Sequence, residues 1–206
     1  MQVFLFDQKQ LSVINRKEEI TQETCLVTEQ EADKIRETLA SDGHFWRVDQ
    51  LTVGCSGAKP DDTHKWDDKK HKWFIDPELT KQALDKKRAE LWEIIKEKRL
   101  QATRTGAEVT LPNGDVRHFH TDQVARQEYD GMGLTIVLGT FEPRRWKTIE
   151  NDWVLFDLDT FKALALAIKT KVDHDYKNAE ILKAQIDKSE TPENIDLNQG
   201  WSKSYV

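Results

Sequence analysis

The chain has 206 residues, with 31 basic against 37 acidic side chains and a net charge of −6. That length fits one large domain or two small ones, and the acidic balance argues against general binding to a phosphate backbone, which draws on surplus Lys and Arg. Only Cys25 and Cys55 occur, in no ligand-like spacing, so neither a zinc site nor a disulfide framework is expected.

The opening "MQVFLFDQKQ" has six residues before its first charge and no cleavage pattern, so no signal peptide is expected. No apolar run approaches ~18 residues, and no membrane span is expected either. Val3 and Leu5, then Leu11 and Val13, alternate with their neighbours around "DQKQ" and read as a hairpin. Thr28 with Glu31 is a capping-box signal for a short helix to about Ala40, stopped by Ser41-Asp42-Gly43. "HFWRVDQLTV", from His44 to Val53, reads as one strand, and "GCSGAKPDD" as a loop.

"HKWDDKKHKWF" follows, from His64 to Phe74. Trp66 and Trp73 flank a polar turn and read as facing positions of a second hairpin. The two indoles form a small hydrophobic cluster with Phe45 or Trp46, since isolated hairpins need such clusters. The alternative is that they stack on a sugar or a base. Asp76-Pro77 then starts a helix running to about Thr103. Its first half is nearly all charge, as expected of a helix that bridges domains or meets another chain.

In "GAEVTLPNGDVRHFH", Asn113-Gly114 is read as a two-residue turn pairing Leu111 with Val116, Val109 with His118 and Ala107 with His120. That register puts both histidines on one face with aliphatic residues. The spacing suits a metal, but no further His or Cys cluster supplies the remaining ligands, so no metal or other cofactor is assigned. Thr121-Asp122 opens a helix with Ala125, Tyr129, Met132 and Ile136 at helical spacing. Gly131 and Gly133 thin it so that another element approaches closely. "RRWKTIENDWVLF" reads as a hairpin, and Asp157 caps the strongest helix, with Phe161, Ala165, Ile168, Val172, Tyr176 and then Ala179, Leu182, Ile186 along one stripe. Residues 188–206 read as a flexible polar tail. Its Trp201 and Tyr205 are expected to dock a partner, the alternative being that Trp201 packs on its own domain.

The expected fold class is α+β. A small N-terminal αβ module spans 1–75, a long connecting helix 76–103, a C-terminal module of β-hairpins packed on two helices 104–187, and the tail 188–206. No catalytic constellation is found, and a non-enzymatic protein is expected.

"HKWDDKKHKWFIDPELTK", a Trp hairpin leading into a charged helix, resembles a segment of bacteriophage tail fibre assembly proteins and related tail proteins. From about Leu91 to Tyr176 the chain is similar to a domain of unknown function common in phage tail proteins. The similarity lies in "ELWEIIKEKRLQAT", "HFHTDQVARQEYDGMG", "WKTIENDWVLFD" and "LALAIKTKV", with Thr121-Asp122, Trp146-Lys147 and the helix after Asp157 most alike. The resemblance implies a phage or prophage protein of the tail fibre apparatus, in the host cytoplasm during assembly or in the virion tail. Its implied partner is a fibre or other tail protein, with self-association left open. The family has no assigned catalytic residues to carry over. The candidate partner-binding residues are Trp66, Trp73, Trp201 and Tyr205, and the alternative function is a carbohydrate-binding module using exposed tryptophans.

Overall fold

The computed structural model describes residues 2–5, 7–13, 24–49 and 52–206. It is α+β, and its packing divides the chain into two compact units, Met1–Asp85 and Lys86–Val206. Among the described residues, no helix is long and apolar enough to cross a membrane.

In the first unit, β1 (Gln2–Leu5) and β2 (Gln10–Val13) form the expected hairpin, and β3 (Thr24–Leu26) adds to the other edge of β1. Helix α1 (Glu29–Ala40) begins as expected: Glu31 N–H donates to Thr28 Oγ1 at 3.3 Å, and Thr28 N–H donates to the Glu31 carboxylate at 2.8 Å. Ala32 and Ile35 bury against Phe4, Cys25 and Val27. The single strand expected over 44–53 is two: β4 (Phe45–Arg47) and β5 (Val53–Cys55) pair antiparallel, with Gln50 and Leu51 outside the described residues. The Asp49 carboxylate accepts from Thr52 N–H at 2.8 Å, a local Asp-to-backbone bond between the two strands. Gly54 is needed here, because a Cβ would lie 2.2 Å from the Trp46 ring crossing it. The Trp hairpin follows as β6 (His64–Asp67) and β7 (Lys72–Ile75), with Trp66 directly opposite Trp73.

Helix α2 (Pro77–Ala102) starts where expected, Asp76 accepting from the N–H groups of Glu78 and Leu79. The division between units falls inside it. From Lys86 onward the helix belongs to the second unit, where Leu91 and Ile95 pack on Ala179, Leu182 and Ile186.

In the second unit, β8 (Ala107–Thr110) and β9 (Val116–Phe119) pair one residue out of the expected register: Ala107 faces Phe119 and Glu108 faces His118. Gly114 N–H donates to Leu111 C=O, Leu111 N–H donates to Asp115 C=O, and Gly114 has φ +90°. The loop therefore holds three residues with a left-handed glycine, not the two of a tight turn. A one-residue slip moves every side chain to the other face. Phe119 joins Ala107 and Val109 in the core, and His118 turns outward.

Helix α3 (Gln123–Val137) is capped by Asp122, and the hairpin of β10 (Arg144–Lys147) with β11 (Trp153–Phe156) forms as expected. Phe156, fully buried, meets Tyr129, Trp146, Phe119 and Phe161 in an aromatic core. The glycines of α3 do not serve close approach within the unit. A Cβ on Gly131 would meet nothing within 4 Å, and one on Gly133 only the Phe161 ring at 3.6 Å.

Helix α4 (Leu158–Lys188) is capped by Asp157, whose carboxylate accepts from Thr160 N–H at 2.8 Å. Its expected stripe is buried only at Ala179, Leu182 and Ile186. Before that the helix buries Thr160, Leu164, Lys171 and Asp175, and Tyr176 is exposed. Leu164 buries with Ala107, Phe119 and Phe156 of the hairpins, whereas Lys171 and Asp175 bury under residues 188–206, which are packed and not a flexible tail. After a 3-10 turn at Pro192–Asn194, Leu197 is buried and Trp201 packs with it against α2 and α4.

Candidate functional site

Four places hold the residues that the sequence singled out. In the first unit, Trp66 and Trp73 are half-buried and meet edge to face, 5.3 Å between ring centroids at 67°. His44 stacks on Trp66 at 4.9 Å and 2°, and His71 stacks on Trp46 at 4.5 Å. The cluster expected with Phe45 or Trp46 forms with Trp46, whose ring lies 5.5 Å from that of Trp66. The two indoles offer no coplanar platform, and a histidine already covers one face of Trp66.

Trp201 and Tyr205 lie against their own unit. The Trp201 indole N–H donates to Leu197 C=O at 2.8 Å. Tyr205 stacks on His118 at 4.3 Å, and its N–H donates to Thr105 C=O. Between them, the polar strip of α4 holds the chain. Asp175 accepts from Ser202, Asn178 donates to Gln199 C=O at 3.0 Å, and Lys171 donates to Lys203 C=O at 2.7 Å. Burial pulls the Lys171 ammonium below the ordinary lysine range, against the opposing influence of Asp175.

His118 and His120 serve different surroundings. The His118 ring is hydrogen-bonded to Glu150 through Nδ1 and lies 3.3 Å from Glu108 through Nε2. Burial pushes Glu150 up, but hydrogen bonds from the His118 ring and from backbone N–H groups, His118 N–H among them, outweigh it and bring the carboxyl to about 2. His120 is exposed and lines an open cleft beside α3. Among the described residues, no group of three or more His, Cys, Asp or Glu side chains is placed to hold a metal ion.

The fourth place is a groove of about 360 Å³ between α3 and α4. Its floor is the expected α4 stripe, Phe161, Ala165, Ile168 and Val172, and Arg126, Asp130 and Lys169 edge it. The sequence showed these apolar residues at helical spacing, as one stripe of an amphipathic helix. What it could not show is that, among the described residues, no element closes over them, because that depends on where α3 crosses α4.

No curated protein and no solved structure matches the chain. One family model, described as a domain of unknown function (DUF4376), matches residues 86–199, a span that begins at the first residue of the second unit and contains the expected Leu91–Tyr176. Because that match covers more than half of the chain, the protein belongs to the DUF4376 family.

Proposed function

We propose that the protein is a non-enzymatic bacteriophage or prophage tail protein that acts by docking another tail protein, in tail fibre assembly or as a fibre-associated component. The family description names no function, so the tail link rests on the sequence resemblance alone, that of the Trp hairpin with the charged helix after it and that of the stretch from Leu91 to Tyr176. The observation that carries a docking role is the open groove between α3 and α4. Its floor is an apolar stripe at i, i+4, i+7 and i+11 of a long helix, with charge of both signs at its edges. That is the shape into which an amphipathic helix lays its apolar face. The partner in this reading is a helical segment of a tail fibre protein, met in the host cytoplasm during assembly.

Co-expression with the fibre protein encoded beside this gene tests the reading. Ala165 is exposed on the groove floor, so Ala165→Arg fills the groove without disturbing the core. The expected result is loss of co-purification at an unchanged melting temperature. A fibre that folds, trimerises and binds cells equally well without this chain, with virions that lack it, would overturn the proposal.

A further inference from the structure

A second opening of the same unit lies between the start of α3 and the β10–β11 hairpin, and side chains from both faces of the hairpin line it. It is a cleft of about 400 Å³ whose apolar wall is Val124, Tyr129, Trp146 and Trp153. The register puts Lys147 opposite Trp153 and Arg145 opposite Leu155, so these four side chains share one face. Phe156, opposite Arg144, is on the buried face. Trp153 is 57% exposed and has no aromatic ring against it among the described residues. Its ring takes the Arg145 guanidinium at 5.7 Å. In a chain of net charge −6, neither Arg145 nor Lys147 forms an ion pair among the described residues. The opposite rim carries Asp122 and Glu128. One oxygen of Asp122 caps α3, accepting from the N–H groups of Val124 and Ala125, and among the described residues no ion pair engages Glu128, Arg145 or Lys147.

We infer that the cleft binds an acidic saccharide, with a pyranose ring on Trp153, its carboxylate on Arg145 and Lys147, and its hydroxyls on Asp122 and Glu128. The partly positive C–H face of a pyranose suits the negative face of an indole. The guanidinium fork pairs with a carboxylate by two parallel N–H···O bonds. Sugar hydroxyls are donors as well as acceptors, and the acidic rim consists of acceptors only. That rim disfavours the other anionic ligands. A DNA backbone and a run of acidic side chains bring charge without the hydroxyl donors that Asp122 and Glu128 accept, whereas a uronate sets its one carboxylate on the cations and turns neutral hydroxyls to the acidic rim. The site is independent of the α3–α4 groove and stands or falls without it.

Isothermal titration of the full chain with galacturonate and glucuronate oligosaccharides tests the inference. The expected result is saturable binding, weakened at least about tenfold in Trp153→Ala and in Arg145→Gln, and at least about tenfold weaker for neutral glucose oligosaccharides. Both variants should melt with the wild type, since both side chains lie on the outer face. Lys147→Gln provides a third variant should Trp153→Ala fold poorly. Failure of both uronates to saturate, full binding by Trp153→Ala and Arg145→Gln, or equal binding of a polyglutamate peptide would overturn it.

Discussion

Asp175 has no exposed surface, and its two carboxylate oxygens accept from the backbone N–H and the hydroxyl of Ser202, each at 2.8 Å. A carboxylate taken out of water must be met by donors. Here the donors come from the C-terminal segment, 27 residues further on. The pair explains why α4 buries polar side chains midway along its length.

Ser202→Ala removes one donor from that buried carboxylate. It should destabilise the second unit by about 1.5–3 kcal/mol, the range for a lost hydrogen bond to a charged group. Denaturant unfolding checks it, with Ser204→Ala as the control because Ser204 is exposed. Deleting residues 200–206 should lower the melting temperature further. An unchanged melting temperature on deletion would mean that the segment does not hold to its own unit.

Glu150 gives the second unit an acid-sensitive contact. Its folded carboxyl, at about 2, lies below its ordinary value of 4.5. The resulting stability is present above the ordinary value and is lost as pH falls from about 4.5 towards 2. Glu150→Gln should flatten this part of the stability–pH curve. Unfolding midpoints measured across the acid range test the prediction.

Two glycines should respond in opposite directions to alanine. Gly200 has φ +77°, and a Cβ there would lie 2.2 Å from Asn178 Oδ1, so Gly200→Ala should destabilise the second unit by more than about 1 kcal/mol. Gly131 sits inside α3 with open space at its Cβ position, so Gly131→Ala should stabilise by up to about 1 kcal/mol. Thermal melts of the two variants read both signs.

The Trp66–Trp73 contact should matter to the first unit alone. Trp66→Ala removes a ring that touches His44, Trp46 and Trp73, and should cost about 2–3 kcal/mol, less than a fully buried tryptophan. NMR-detected unfolding should show the loss in residues 24–85, with the transition of residues 86–206 unmoved.

Much of the local structure was legible because its causes are local. Thr28 with Glu31, Asp76 before Pro77, Asp122 and Asp157 each cap a helix through a side chain within three residues of the N–H it satisfies. The Trp hairpin and the β10–β11 hairpin were set by alternation around polar turns. Each of these signals fits inside a window of a dozen residues, so the sequence by itself determined the element types and most of their ends.

Tertiary structure decided which faces those elements bury. The β8–β9 hairpin has a three-residue loop in place of a two-residue one, and that slip exchanged His118 for Phe119 in the core. The burial of Phe119 against Phe156 favours one register over the other, and these residues are far apart in sequence. On α4 the apolar stripe was plain, but a stripe says only that something apolar should cover it. The C-terminal segment took the neighbouring polar strip instead, because Asp175, Asn178 and Lys171 find their hydrogen-bond partners there. Periodicity is a property of one element, whereas burial belongs to a pair of elements, and only the packed chain brings the second member of each pair into place.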